Sequence, residues 1–118
     1  MAAKDELGRR GEAIAASFLE GRGLEILERN WRCAQGEIDL VARDGSELVF
    51  VEVKTRSGIA FGHPLEAITV QKLARLRRLA AAWCESHEGS HNSVRIDAIA
   101  VIAPSRGPVE IEHLERVF

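Results

Sequence analysis

No apolar run in the 118-residue sequence approaches the roughly 18 residues that a membrane span requires. Met1-Ala2-Ala3-Lys4-Asp5 leads straight into a polar helical pattern, without the apolar core of a secretory signal. Both absences set the expectation of a cytoplasmic chain that makes no membrane contact. Cysteine is scarce as well. Cys33 and Cys84 lack metal-type spacing and are too few for a disulfide framework, so both are read as reduced thiols. Aromatic residues amount to 5%, and Trp31 and Phe61 are accordingly read as core or loop packing rather than as platforms for unpaired bases. Nor is there an excess of positive charge: the net charge of −2 excludes a polycation that holds nucleic acid by bulk electrostatics. No repeat, linker or low-complexity tract divides the chain, which gives the expectation of one domain over residues 1–118.

What is present is the composition of a folded protein, 46% hydrophobic and 29% charged. Leu7, Gly11, Ile14, Phe18 and Leu19 fall on one helical face, which predicts an amphipathic helix over residues 5–20, ended by Gly21-Arg22-Gly23. Residues 24–31 read as an imperfectly alternating strand suited to a sheet edge. Strands are expected over 37–42 and 47–55, and the second is apolar on both faces from Leu48 to Val51, which favours a central, covered position. A loop with two glycines and a proline spans 57–64. A second helix follows, with Thr69 as N-cap and Val70, Leu73, Leu76, Ala80 and Trp83 as its buried stripe, leaving Gln71, Arg75 and Arg78 nearer the open side. Residues 85–93 are polar and read as loop; strands over 94–102 and 109–114 complete the chain. The order α-β-β-β-α-β-β predicts an α/β sandwich around a mixed five-stranded sheet flanked by helices.

Chemistry concentrates in two strands. Glu52-Val53-Lys54 ends the apolar run Leu48-Val49-Phe50-Val51, and Gly36-Glu37-Ile38-Asp39-Leu40 precedes it. Alternation sends Glu52 and Lys54 to one side, and puts Glu37 and Asp39 on a common side by the same rule. A hairpin through Arg43-Asp44-Gly45-Ser46 would bring three carboxylates and an ammonium to one end of a sheet. That set suits a hard divalent cation plus a lysine that handles a phosphate or a water. The alternative is an ion pair between Glu52 and Lys54 that only solubilises an edge, which fits poorly with a doubly apolar strand. Asp39 is read as a site acid over a solvated one beside a turn. Glu37 stays open between a hydrogen-bond partner of the site and the residue that happens to follow a glycine turn. Lys54, Arg56, Lys72, Arg75, Arg77 and Arg78 face only Glu66 in the same stretch, so a basic face is one reading and a solvated helix face the other. Lys72 is open in the same way. His63 beside Pro64 is read as a loop residue or one lining a cleft. Asp97, among apolar neighbours in a strand, needs a partner such as Arg95 or Arg56 and is read as structural.

An acid in a helix, an acid in one strand and Glu-x-Lys in the next resemble the PD-(D/E)-x-K nuclease superfamily. Within it, the chain is similar to the small bacterial YraN-like family of predicted nucleases related to archaeal Holliday junction resolvases. The resemblance runs through Gly11-Glu12, Asn30-Trp31-Arg32, Gly36-Glu37-Ile38-Asp39-Leu40, Phe50-Val51-Glu52-Val53-Lys54-Thr55-Arg56, Phe61-Gly62-His63-Pro64, Lys72 and Arg95-Ile96-Asp97. It implies a restriction-endonuclease-like three-layer sandwich. It also implies Mg²⁺ or Mn²⁺ held by Asp39, Glu52 and the carbonyl of Val53, with Glu12 as an additional acid. Without the resemblance, Glu12 reads as a helix-surface acid. Lys54 is implied to orient the attacking water or neutralise the phosphorus centre, and Lys54, Arg56, Lys72 and Arg75 to contact nucleic acid. The implied activity is an endodeoxyribonuclease acting on structured or branched DNA in repair or recombination, working as a homodimer because two symmetric cuts need two sites. Two rivals are a nucleic-acid-binding protein without turnover and an interaction subunit of a larger DNA-processing complex. The weak basic charge keeps the second of these open, and the intact Glu52 and Lys54 speak against the first.

Overall fold

A computed structural model describes residues 3–60, 62–89 and 93–118; Phe61 lies outside the described residues. The elements run α1 (Ala3–Gly21), β1 (Glu25–Cys33), β2 (Gly36–Asp44), β3 (Glu47–Arg56), a 3₁₀ turn at Pro64–Ala67, α2 (Val70–Ser86), β4 (Val94–Ile102) and β5 (Glu110–Leu114). The strands lie in one open sheet in sequence order. Neighbours are antiparallel except β3 and β4, which are parallel. That single parallel pair is where α2 crosses over, as a parallel connection requires a long return segment. No helix among the described residues is long and apolar enough to cross a membrane.

β3 is the middle strand, as its double apolar character predicts. Val49, Val51 and Val53 pack with Ala15, Ala16 and Leu19 of α1, whereas Leu48 and Phe50 pack with Leu73, Leu76 and Trp83 of α2. The helices therefore cover opposite faces of the sheet. Leu48, Val49, Phe50 and Val51 are at most 2% exposed, and burying each such side chain contributes about 1.5–3 kcal/mol. The hairpin between β2 and β3 closes through Gly45-Ser46, with Gly45 at φ 62°, a conformation that glycine adopts without a Cβ clash.

Two details differ from the sequence pattern. Val70 continues the apolar stripe of α2 by spacing yet is 71% exposed, because it is the first residue of the helix, a turn before Leu73 reaches the sheet; Leu79 is buried instead. The helix also continues through Ser86 into the stretch read as loop, its last turn tied by the Ser86 hydroxyl donating to the Trp83 carbonyl at 2.9 Å. Thr69 caps the other end as expected, accepting from the Lys72 N–H at 3.2 Å. His63 is a loop residue: it caps the 3₁₀ turn, its Nδ1 accepting from the Leu65 N–H at 3.2 Å.

Asp97 has its partners at the hairpin end of the sheet. Arg95 donates to both of its oxygens, with Nε to Oδ1 at 3.0 Å. His113 Nε2 stands 2.7 Å from Oδ2, and the backbone N–H of Arg116 donates to Oδ1 at 3.1 Å. Arg56, the other expected partner, instead donates to the carbonyl of its neighbour Thr55. Burial alone would raise the Asp97 pKa, but the bonds from His113, Arg95 and the Arg116 N–H outweigh it and hold the carboxyl below its ordinary range. Arg95 also reaches Asp44 at 3.0 Å, and Arg116 reaches Glu47 at 2.7 Å, so the cluster joins β4, the hairpin and the C-terminal segment. Asp97→Ala leaves the Arg95 guanidinium buried without its main partner. A loss of about 3–5 kcal/mol in urea unfolding is expected, against less than about 1 kcal/mol for removing the exposed Arg32–Glu37 pair.

Candidate active site

The site forms where the middle of the sheet forks. β2 pairs with β3 only from Leu40–Val51 to the turn. Beyond that point residues 36–39 pair with β1 alone and residues 52–56 with β4 alone. Asp39 sits in the crotch of this fork. Its Oδ2 accepts a hydrogen bond from the Val53 N–H at 2.8 Å, replacing the main-chain partner that β3 loses as β2 turns away. Strict alternation also breaks here: Ile38 packs on the α2 side and Leu40 on the α1 side, although two residues apart in a regular strand they would share a face. Opposite Asp39, Asn30 of β1 has φ 52°, a left-handed conformation that asparagine tolerates better than most residues.

Glycine 11 brings the helix acid in. A Cβ at this position would lie 1.8 Å from Thr55 Oγ1 and 2.7 Å from Thr55 Cβ, so only glycine lets α1 rest this closely on β3. Glu12, the next residue, then meets Asp39. Glu52 and Lys54 alternate with Val51 and Val53, whose side chains belong to the α1-side core, and so leave β3 toward α2. Two clefts meet at the fork and share Glu37, Asp39, Glu52 and Lys54. The smaller, about 250 Å³, is completed by Lys72, Arg75, Leu76 and Leu79 of α2. The larger, about 1390 Å³, runs along α1 past Arg10, Glu12, Val53 and Arg56.

Electrostatics in the fork favour a proton or a cation. Burial, then the neighbouring Asp39 charge, push Glu12 from its ordinary 4.5 up to about 7, against a lowering bond from Asn30. Burial and Asp39 push Glu52 to about 7 as well, with Lys54 and Lys72 pulling the other way. Asp39 is raised by burial, with the Val53 N–H opposing. Among the described residues, no group of three or more acid, histidine or cysteine side chains is placed to hold a metal ion by itself. Mg²⁺ does not require that, since it binds through one or two carboxylates together with waters and substrate phosphates. Adjacent Asp39 and Glu52, both biased toward the neutral form by burial and crowding, are a donor set of that kind, and the fork residues fit a divalent ion.

Of the residues singled out from sequence, Asp39, Glu52, Lys54 and Val53 come together, Glu12 joins them from α1, and Lys72, Arg75 and Arg56 line the clefts. Arg75 is held by donation to the Gln35 carbonyl at 3.1 Å. Arg77 and Arg78 line neither cleft. Glu37 pairs with Arg32 at 2.7 Å and lines both clefts. Asn30, Arg32 and Arg10 join the larger cleft without having been singled out as site residues. Asn30 and Arg32 do lie in one of the motifs that carry the family resemblance, but only the fork shows what they face.

Fold and site together define a small α/β protein with an acid–lysine centre in a forked sheet. The chain belongs to the uncharacterised protein family UPF0102, whose model matches residues 11–101. It is 59% identical over 117 residues to a UPF0102 protein of Beutenbergia cavernae, with 99% of each chain covered. It is 56% identical over 117 residues to one of an Arthrobacter species, again covering 99% of each. A Frankia alni relative is 54% identical over 118 residues, covering 100% of this chain and 98% of that one.

Acids whose folded pKa is raised contribute stability below their unfolded pKa and lose it as pH climbs through the folded one. The metal-free protein should therefore lose melting temperature between about pH 4.5 and 7. Millimolar Mn²⁺ should restore it at pH 7.5 and far less at pH 5, and Asp39→Asn should remove the Mn²⁺ response. Separately, Gly11→Ala should cost about 1–3 kcal/mol by overpacking against Thr55. Gly8→Ala, with nothing within 4 Å of the added Cβ, should stabilise α1 by about 0.5–1 kcal/mol.

Proposed function

We propose that this protein is a divalent-metal-dependent nuclease of the PD-(D/E)-x-K type with a restriction-endonuclease-like fold, hydrolysing phosphodiester bonds in structured or branched DNA in the cytoplasm. The observation that carries this reading is the meeting of Asp39, Glu52 and Lys54 where two clefts join, with cations on either side. Asp39, Glu52 and the Val53 carbonyl would hold Mg²⁺ or Mn²⁺, with Glu12 beside them. A bound ion would supply positive charge to the phosphoryl oxygens and lower the pKa of the attacking water.

The chain's own groups do the rest. The Val53 N–H fixes Asp39 Oδ2, and the Glu12 carboxyl hydrogen-bonds the same Asp39 side chain, a contact that a bound ion would replace. Lys54, on the same side of β3 as Glu52, orients the water or stabilises the charge that builds on phosphorus. Lys72 and Arg75 hold the strand through its phosphates, and Arg75 is preset for this by its bond to the Gln35 carbonyl. A homodimer would supply the second centre that a symmetric pair of cuts on a junction requires.

Labelled linear, flapped and four-way-junction DNAs of matched sequence, incubated with Mg²⁺ or Mn²⁺, test the reading. Cleavage is expected for the branched substrates, falling by about 10²–10³-fold or more in Glu52→Ala and Lys54→Ala. Cleavage that survives Glu52→Ala contradicts the assignment. Binding without cleavage in either metal favours the non-catalytic DNA-binding alternative, and neither binding nor cleavage favours the interaction subunit.

A further inference from the structure

The cations around the fork are not confined to α2. Arg10, on α1, directs Nη1 at the carbonyls of Ala103 and Pro104, at 3.3 and 3.2 Å, where β4 has just ended. Arg56, at the end of β3, donates Nη1 to the Thr55 carbonyl at 3.2 Å. Among the described residues, neither guanidinium has a carboxylate within ion-pair distance, unlike Arg32, Arg95 and Arg116. Both line the larger cleft, with Ser57 beside Arg56. A guanidinium tethered through one nitrogen to a main-chain carbonyl keeps its charge and its other donors for a phosphate.

The opposite limb is built the same way. Lys72 and Arg75 line the smaller cleft, and Arg75 is tethered to the Gln35 carbonyl. α1 and α2 cover opposite faces of the sheet, and the two clefts meet only through the fork residues they share. We infer that one nucleic-acid strand passes round the forked end of the sheet from the α2 face to the α1 face. Lys72 and Arg75 take phosphates on one side of the acids, and Arg10 and Arg56 take phosphates on the other. This rests on the nuclease reading and deepens it. The bond over Asp39 and Glu52 is then internal, flanked by held phosphates on both sides, and the stretch that turns the corner is unpaired, because a single backbone follows such a path and a stiff duplex does not. Asp5 and Glu6 also line the α1 limb, at the first turn of the helix, so the strand runs on the Arg10 and Arg56 side of that cleft.

The test is binding rather than cleavage. A labelled single-stranded oligonucleotide is titrated against the full chain in EDTA over a series of salt concentrations. Arg10→Gln, Arg56→Gln and Lys72→Gln are each expected to flatten the slope of log affinity against log salt by about 0.7, the share of one phosphate on a single strand. The double variant Arg77→Gln/Arg78→Gln, outside both clefts, is expected to keep the wild-type slope. If melting shows that Arg10→Gln loosens α1 from the end of β4, Arg56→Gln carries the same comparison, since its side chain bonds the adjacent carbonyl. Wild-type slopes in both Arg10→Gln and Arg56→Gln, with a reduced slope in Lys72→Gln, would overturn the α1 limb while the nuclease reading stands. Junction cleavage with no single-strand affinity would also overturn this inference alone. Absence of both binding and cleavage for every nucleic acid would overturn the two together.

Discussion

β3 is bonded to a strand on each side and covered by a helix on each face, and the placement of every charged group in the site follows from where that enclosure ends. From Leu48 to Val51 the strand has almost no contact with water, so no charge could stand there without a large desolvation cost. At Glu52 the partner strand β2 departs, and the Val53 N–H would be left unpaired at the edge of the core. The Asp39 carboxylate takes that N–H. A backbone obligation thus fixes the Asp39 carboxylate, and the same departure opens the clefts that Glu52, Lys54 and Glu12 line.

The two ends of the sheet handle charge in opposite ways. At the hairpin end, Asp97, Asp44 and Glu47 are matched by Arg95 and Arg116, and Asp97 and Glu47 are held below their ordinary pKa. Burial works against the charge on Arg95, but bonds to Asp97 and Asp44 raise its pKa on balance. At the fork, Glu12, Asp39 and Glu52 are crowded together and raised. A fold that neutralises its acids at one end and leaves them in conflict at the other keeps its stabilising charges apart from its crowded ones. Such local conflict is the usual condition of groups that act on a ligand.

Much of this is legible from local pattern. The central place of β3 follows from four apolar residues in a row, the hairpin from Asp44-Gly45, and Glu52 with Lys54 from charges that end a buried strand. Val70 and Leu79 are not legible, because spacing fixes a helical face but not how far along that face the sheet extends. Nor is the break between Ile38 and Leu40: alternation assumes a regular ladder, and the fork depends on which strand β2 follows. The need of Asp97 for Arg95 is plain, since the two are near neighbours in sequence. His113 and Arg116 reach it only because β5 folds back beside β4. Arg10 stays hidden for the same reason, since its carbonyl partners lie more than ninety positions away in the chain.

The proposed function depends on whether Asp39 and Glu52 hold a divalent ion in the fork. Anomalous diffraction from crystals soaked in Mn²⁺ tests it most directly, because it locates the ion without depending on substrate or turnover. The expected result is one peak between the Asp39 and Glu52 carboxylates, on the Glu12 side of the fork, absent from crystals of Asp39→Asn. Manganese found only at the exposed acids of the surface, with the fork empty at saturating concentration, would contradict it.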